Sequence, residues 1–245
     1  MTSELTPTGI LRAGINYSNF ILAARDPAGG EPGGIAADLS REIARQLNVA
    51  IQFVTFESAG AMADAVTAGA WDIAFLANEP QRANQISFSP PYLEIEAGYM
   101  VPPGSNVQSI ADADVTGLRI AVAEKSAYDL FLSRTLKHAE LVRAKGMDGS
   151  LQLVTTGKAD LLAGLKPWLP MVIGKLPGSR IIDGRFMAVQ QCIGIPKGRD
   201  TGAAFLREFL EDIKKSGFLA RTIRTYSPNI SLATSAADTA VGHPE

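Results

Sequence analysis

The alternation of strand-like and helix-like segments in the first third of the chain most constrains its fold. Short β-prone runs occur at GILRAGI, at IQFVTF and at WDIAFLA. A helix is predicted after the first run and a shorter one after the second, at 59–67. The apolar face of the first helix repeats every four residues, with Asn48 at its expected end: Ile35, Leu39, Ile43, Leu47. This order predicts an α/β protein with a parallel sheet covered by helices.

The same pattern begins again in the second half. TGLRIAV is similar to the earlier TGILRAGI, and VTTGKADLL is similar to the earlier VTAGAWDIA. The second pair shares Gly-x-x-Asp before an apolar strand, with Asp72 and Asp160 at matching places, 160 − 72 = 88 residues apart. Common turn chemistry can produce one such similarity. Two similarities in the same order predict two lobes of similar plan.

Charge and hydropathy exclude several classes of function. The 245 residues include 23 basic and 25 acidic side chains without clustering, so no nucleic-acid-binding face is expected. No apolar run is long enough to predict a membrane-spanning helix. The N-terminus, MTSELTPTG, lacks the features of a secretory signal. Either a signal was removed or the protein stays in the cytosol, and both alternatives remain open.

The scarcity of cysteine and histidine limits the chemistry that the chain can perform. Cys192, in the apolar run CIGI, is expected to be a buried, inert thiol. His243 lies in a Ser/Ala/Thr-rich tail that begins at Ser227 and is expected to be disordered. His138 remains for acid–base work, on a predicted helix and expected to be exposed. Neither Ser-His or Cys-His catalysis nor a metal or other cofactor is predicted.

Four short motifs occur in a fixed order along the chain. NYSNF follows the first strand, GIAADL opens the first helix, Gly-x-x-Asp precedes the third strand, and Arg82 comes before FSPPY. Together they resemble the amino-acid type of bacterial extracellular solute-binding protein, the receptor component of ABC importers. The resemblance extends from Gly9 to Tyr226.

The resemblance implies a type II-like periplasmic-binding-protein fold, with two α/β lobes, two extended hinge crossings and a ligand in the cleft between the lobes. Lobe 1 is predicted at 1–95 plus 193–245, and lobe 2 at 96–192. The crossings would be LEIEAGYMVPPGS and AVQQCIGIPKG. It further implies a monomeric, non-catalytic receptor in the periplasm that delivers a small carboxylate to an ABC transporter permease.

The resemblance also implies roles for single residues. Arg82 matches the family arginine that holds the ligand's α-carboxylate, for which its planar fork is suited. Tyr17 matches an aromatic residue that packs on the ligand, and Asn19 lies in the same motif. Ser126 matches a helix N-terminus that offers N–H groups to an anion. Each residue also has a plainer interpretation. Arg82 would be an ordinary surface arginine, Tyr17 a core or rim residue, and Ser126 a simple helix N-cap.

The chain departs from the family pattern at several of these positions. Ala59 stands where a second aromatic residue is usual, and Phe75 and Ala77 stand where serine or threonine hydroxyls are usual. The acid expected soon after Asp160 is missing, and the segment LLAGLKPW carries Lys166 instead. An ammonium group without a counter-charge in a closed site would be costly. The pocket is therefore expected to hold a carboxylate but to lack the usual ammonium site.

Two explanations of the missing acid lead to different ligands. Glu124, Glu94 or Glu96 replaces it from another wall, and the ligand is an amino acid. Alternatively Lys125 and Lys166 face the cleft, and the ligand is an organic acid or an atypical amino acid, which we favour. In a third interpretation, Lys125 and Lys166 are both exposed to solvent and contact no ligand.

Two other functions compete with transport on the same fold. One is an enzyme resembling cyclohexadienyl dehydratases, which would need a positioned general acid that Glu or Lys could supply. The other is a sensory ligand-binding domain, for which the absent signal sequence is the support.

Overall fold

The structure is a computed structural model that describes residues 2–227. Residues 1 and 228–245 lie outside the described part, and with them His243 and all of the predicted tail except Ser227. The helices are α1 (Thr2–Leu5), α2 (Ile35–Leu47), α3 (Ala59–Asp64), α4 (Ala127–Thr135), α5 (Gly146–Thr155), α6 (Leu169–Val172), α7 (Asp200–Lys215) and α8 (Phe218–Tyr226). The strands are β1 (Leu11–Asn16), β2 (Ile51–Phe56), β3 (Ile73–Ala77), β4 (Ile86–Phe88), β5 (Leu93–Val101), β6 (Arg119–Ala123), β7 (Glu140–Ala144), β8 (Leu161–Leu165), β9 (Arg180–Ile181) and β10 (Met187–Pro196). Three 3-10 turns complete the described part, at Arg82–Asn84, Ala111–Ala113 and Ile173–Lys175.

The chain divides into two compact units. Unit 1 comprises Met1–Glu57, Ala61–Glu94 and Gln190–Glu245, and unit 2 comprises Ser58–Gly60 and Ile95–Val189. Strands β5 and β10 each begin in one unit and end in the other, and they are the two extended crossings that the sequence predicts. The predicted α/β fold is confirmed.

Unit 1 is built on strands in the order β2-β1-β3-β10, with β4 paired to β10. β1 is parallel to β2, with Leu11 opposite Ile51, and parallel to β3. β10 is antiparallel to β3, with Cys192 opposite Leu76. All five residues of β3 are buried, as expected for a strand in the middle of a sheet covered by helices.

Helix α2 covers this sheet with the face that the four-residue spacing predicts. Ile35, Leu39 and Ile43 are completely buried. The helix ends at Asn48, which takes a left-handed conformation (φ 53°) and donates its backbone N–H to the carbonyl of Arg45. Asparagine tolerates this conformation better than most residues, so the predicted end of the helix is confirmed.

Unit 2 repeats the arrangement with strands in the order β5-β8-β6-β7. β6 is parallel to both β7 and β8, while β5 is antiparallel to β8, with Ala97 opposite Leu165. All five residues of β8 are buried. The carboxyl ends of β6, β7 and β8 therefore lie at one edge of this unit.

A matching ion pair in each unit explains the sequence repeat. Asp72 receives the Nε and Nη2 hydrogen bonds of Arg12 at 2.9 and 2.7 Å, and Asp160 receives those of Arg119 at 3.0 and 2.7 Å. In each pair the aspartate also accepts the backbone N–H of the arginine. The Gly-x-x-Asp motif thus fastens the turn before one strand to the start of its neighbour.

Two local predictions differ from the structure. α3 ends at Asp64, three residues before the predicted end, and the chain turns instead through Gly69, whose φ is 62°. His138 does not lie on a helix but in the turn after α4, where its backbone N–H binds the carboxylate of Asp114 at 2.8 Å. This carboxylate accepts three successive N–H groups and so holds the chain in a turn that periodicity alone does not reveal.

Candidate functional site

Arg82 opens a single 3-10 turn shortly after β3 ends. Arg82 is only 6% exposed, so its side chain does not extend into bulk water. Nη1 donates to the carbonyl oxygen of Ala77, the last residue of β3, at 3.0 Å. The strand and the turn together fix the guanidinium, which leaves little freedom to be lost on binding a ligand.

Burial lowers the pKa of Arg82 to about 10, and the nearby carboxylates of Glu79 and Asp64 oppose this effect. The guanidinium therefore still carries its positive charge at neutral pH. A desolvated guanidinium interacts more strongly with a carboxylate than a hydrated one does, because the local dielectric constant is lower.

Glu79 is a buried neighbour of Arg82 in the candidate site that was not recognised in the sequence. It is 2% exposed, and its backbone carbonyl accepts the N–H groups of Arg82 and Ala83 at 2.9 and 3.0 Å. The signal in the sequence was its position three residues before the arginine, which brings the two into one turn. A buried acid here compensates part of the charge of Arg82.

Phe75 and Ala77, on β3, are both buried, at 3% and 4% exposure. The Phe75 ring packs edge-on against Tyr92, with the ring centroids 6.1 Å apart. Ala77 lies opposite Gln191 of β10 and contributes its carbonyl to Arg82. At these positions β3 carries apolar side chains, since neither has a hydroxyl group.

Tyr17 directly follows β1, and another side chain of unit 1 covers its ring. The guanidinium of Arg25 lies 4.1 Å from the ring centroid, within the range of cation–π contacts. Arg25 also donates to Glu57 at 2.6 Å. The sequence analysis did not foresee this partner. Tyr17 and Arg25 line a surface depression of about 680 Å³.

Asn19 lies two residues further along the same loop. Its backbone carbonyl accepts the N–H groups of Leu22 and Ala23, both at 3.0 Å. Its side-chain Oδ1 is buried and has no hydrogen-bond partner among the described residues. A buried acceptor without a partner is uncommon in a folded protein. This oxygen therefore keeps an unused capacity to accept a hydrogen bond.

Ser126 caps helix α4 in unit 2. Its hydroxyl accepts the backbone N–H of Asp129 at 3.1 Å, while the Asp129 carboxylate accepts the N–H of Lys125 at 2.8 Å. Lys125 has a positive φ of 55°, which turns the chain from β6 into the helix. The predicted N-cap is present, and its hydroxyl already has a backbone partner.

Lys166 directly follows β8 and forms an ion pair within unit 2. Its Nζ lies 2.9 Å from Oε2 of Glu96, and Nη1 of Arg185 lies 3.1 Å from Oε1 of the same carboxylate. The hydrogen bond from Lys166, helped by Arg185, lowers the pKa of Glu96. Glu94, in unit 1, accepts the side-chain amide of Gln190 at 3.2 Å.

In each unit the predicted residues gather at the carboxyl ends of parallel strands. Tyr17 follows β1 and Arg82 follows β3 in unit 1, while Lys125 follows β6 and Lys166 follows β8 in unit 2. Ligands of open α/β sheets bind at such edges. Within unit 1 the structure joins Arg82 to Ala77, whereas Tyr17 contacts Arg25.

Two further features of residues 2–227 bear on function. No group of three or more His, Cys, Asp or Glu side chains in this range has the arrangement of a metal site. Over the same residues, none of the helices combines the length and the apolar character needed to cross a membrane.

Comparisons with solved structures relate this fold to known receptors. The solute receptor for L-cysteine of Neisseria gonorrhoeae is 18% identical with a TM-score of 0.77, and the match covers 95% of this chain and 99% of that one. A mutant of ArgBP from T. maritima is 22% identical with a TM-score of 0.76, covering 93% and 99%. An ancestral amino acid-binding protein, a precursor of cyclohexadienyl dehydratase, is 21% identical with a TM-score of 0.74, covering 91% and 98%.

Comparison at the level of sequence identifies the family. No curated protein sequence gives a significant match to the chain. The profile of the bacterial extracellular solute-binding proteins, family 3, in contrast matches residues 11–229. This range includes all of unit 2, most of unit 1 and every residue of the candidate site. The chain therefore belongs to the bacterial extracellular solute-binding proteins, family 3.

Proposed function

We propose that the protein is a non-catalytic receptor that captures a small carboxylate, an amino acid or an organic acid, and delivers it to an ABC importer. The buried, charged guanidinium of Arg82 at the end of β3 carries this proposal. Arginine can form two parallel charge-assisted hydrogen bonds with a carboxylate, which lysine cannot reproduce. That the ligand lies in a cleft between two lobes stays a prediction of the family resemblance.

The neighbours support a carboxylate ligand of this size. One is a receptor for L-cysteine, and another is an ancestral amino acid-binding protein. Every amino acid carries an α-carboxylate, so one arginine could serve many such ligands. We assign the carboxylate to Arg82, the apolar part of the ligand to Phe75 and Ala77, and a donor group of the ligand to Asn19. Tyr17 would contact the ligand at the rim.

In unit 2, Lys125, Ser126 and Lys166 are the proposed contacts. They lie at the edge formed by the carboxyl ends of β6 and β8. The family description as extracellular proteins supports a periplasmic location and a permease as the partner. We propose that the receptor acts as a monomer, as the family resemblance implies.

Calorimetry tests this proposal directly. The purified chain is titrated with the twenty amino acids and with a set of mono- and dicarboxylates, and binding of at least one carboxylate with a stoichiometry of one is expected. A well-folded protein that binds none of these compounds would contradict the proposal. Dissociation constants in the micromolar range or below would suit a capture function.

A second candidate function is dehydration of a cyclohexadienyl acid. The observation that favours it is the structural likeness to a precursor of cyclohexadienyl dehydratase. Such an enzyme needs a general acid near the leaving hydroxyl group. Incubation with prephenate and arogenate, followed by detection of phenylpyruvate and phenylalanine, separates the two functions. The receptor proposal predicts no product above the uncatalysed background, whereas turnover would favour the enzyme.

A further inference from the structure

β2 (Ile51–Phe56) is the edge strand of unit 1, because it ends the strand order and, among the described strands, pairs with β1 alone. The carbonyl oxygens of Ala50 and Phe56 accept N–H groups at the two ends of β1. Backbone groups along a strand point alternately to its two sides, so every second residue between these two also faces β1. The residues of β2 whose backbone groups face outward are Ile51, Phe53 and Thr55.

The outward N–H and C=O groups of β2 have no backbone partner within residues 2–227. The loop after β1 bonds to itself instead, through two hydrogen bonds of 2.9 Å between Ala24 and Gly33. Such an edge is a template for another strand, and charged side chains are a common protection against this pairing. β7, the edge strand of unit 2, carries Glu140 and Arg143, whereas β2 reads IQFVTF and carries neither a charge nor a proline.

A groove of about 680 Å³ lies against this edge. One wall consists of the outward-facing residues of β2 together with Gln52, and the other contains Arg25, Asp26, Glu31 and the two glycines between them. We call this surface the β2 groove. Its volume is within the range of ligand-binding clefts. A chain segment lying in it would therefore meet a row of backbone groups that can form a ladder with it.

Acidic side chains predominate around the β2 groove. Asp26 accepts one backbone N–H, at 2.9 Å, and forms no ion pair with the side chains of residues 2–227. Arg25 is already engaged by Glu57, and Arg41 by two acids. Two cations and four acids give a net charge of 2 − 4 = −2: Arg25, Arg41, Asp26, Glu31, Asp38 and Glu57. A cationic partner is therefore favoured at this surface.

We infer that the β2 groove binds an extended segment of a partner protein that carries basic side chains. The segment would add to the sheet as a further strand, with its backbone bonded to Ile51, Phe53 and Thr55. Main-chain hydrogen bonds would supply the affinity, and lysine or arginine side chains beside Asp26 and Glu31 the preference. This surface lies entirely within unit 1, and its role goes beyond the capture of a small carboxylate.

Amide hydrogen exchange followed by NMR tests the open edge first. In the protein alone, the N–H groups of Phe53 and Thr55 should exchange at least about tenfold faster than those of Gln52 and Val54. The latter two face β1 in the same strand and are the internal control. Slow exchange at all four positions would show that the edge is already paired, and it would overturn the inference.

A designed peptide then tests binding. The probe is a short peptide of alternating threonine and valine with a lysine at each end. At about ten times its Kd, exchange at Phe53 and Thr55 should slow by about tenfold, while Gln52 and Val54 change less than about twofold. The same peptide with glutamate in place of lysine should bind at least about threefold more weakly. N-methylation of its bonding amides should weaken binding at least about tenfold.

Two matched pairs of variants locate the site. Thr55→Pro removes one outward N–H at an edge position where proline is compatible with a sheet, and Thr55→Val keeps that N–H. We expect Thr55→Pro to weaken peptide binding about tenfold and Thr55→Val to change it less than about twofold. Asp26→Asn should weaken it about two- to fivefold, unlike Glu208→Gln, which removes an exposed acid on α7 of the same unit. Thermal unfolding establishes that each variant is folded.

The remaining outcomes identify other occupants or overturn the inference. Protection of Phe53 and Thr55 that grows with protein concentration would assign the edge to a second copy of the chain. Protection that is independent of concentration would assign it to residues 228–245 of the same chain. Either result, or peptide binding that leaves exchange at the edge unchanged, or no peptide binding, would contradict the inference. The receptor function would stand in each case, because calorimetry with carboxylates tests it separately.

Discussion

At the scale of single residues, burial decides which side chains can react or bind. Arg82 is buried yet keeps its charge, because its carboxylate neighbours oppose the desolvation that lowers its pKa. Cys192 is buried in the same unit, and there desolvation raises the pKa of the thiol despite the opposing effects of the Asn78 backbone and Lys214. The sequence predicted the buried thiol of Cys192 correctly, whereas the role of Arg82 as a carboxylate clamp stays a prediction. It could not show Glu79 beside Arg82 or Arg25 over Tyr17, since these contacts depend on how loops fold back onto strands.

Cys192 should be unreactive in the folded protein. Burial raises the pKa of its thiol to about 12, so the nucleophilic thiolate is scarce at pH 8. We expect a disulfide reagent such as Ellman's reagent to leave the native chain unmodified over an hour and to titrate one thiol per chain in guanidinium chloride. Complete labelling of the native protein within minutes would contradict the buried position.

At the scale of elements, the repeated Arg–Asp pair was foreseen only in part. The sequence placed Asp72 and Asp160 in matching motifs, but the arginine partners are 60 and 41 residues away along the chain. The two pairs also differ in burial: the Asp72 side chain is completely buried, while that of Asp160 is 37% exposed. Asp72 has a second partner, Arg199, at 3.0 Å.

The same substitution should therefore have unequal effects in the two units. Asp72→Asn leaves two arginines around an uncharged side chain in a buried place, and we expect a loss of about 3–5 kcal/mol in the free energy of unfolding. Asp160→Asn removes a partly exposed pair and should cost at most about 1 kcal/mol. Urea unfolding followed by circular dichroism measures both. Equal losses would show that burial does not distinguish the pairs.

The Asp160 pair should also contribute to the acid stability of the protein. The hydrogen bond from Arg119 lowers the pKa of Asp160 below its value in the unfolded chain, ordinarily about 3.9. The stabilisation is therefore complete above pH 3.9 and is lost as the pH falls through the lower folded value. Asp160→Asn should show a smaller fall in stability between about pH 5 and pH 2 than the parent. An unchanged slope in this range would refute the assigned coupling.

At the scale of the whole molecule, the order of elements was the most predictable property. Strand-like and helix-like hydrophobic periodicities alternate along the sequence and indicated α/β units. The structure and the family match confirm the fold, the crossings at β5 and β10 and the family. His138 was misplaced because three N–H groups bound to Asp114 form its turn, and hydrophobic periodicity carries no trace of such bonds. The ion pair between Lys166 and Glu96 is equally hidden from the sequence, because it depends on the register in which β5 pairs with β8.

The central claim is that Arg82 binds the ligand's carboxylate, and a double-mutant cycle in calorimetry tests it most directly. The tightest carboxylate ligand and its neutral amide are titrated into the parent, Arg82→Lys and Arg82→Gln, with Arg45→Gln as a control on an exposed arginine of the same unit. Thermal unfolding first establishes that each variant is folded. We predict that the parent and Arg45→Gln prefer the carboxylate by about tenfold or more, that Arg82→Lys keeps part of this preference, and that Arg82→Gln loses it. A folded Arg82→Gln variant with the full preference of the parent would contradict the claim.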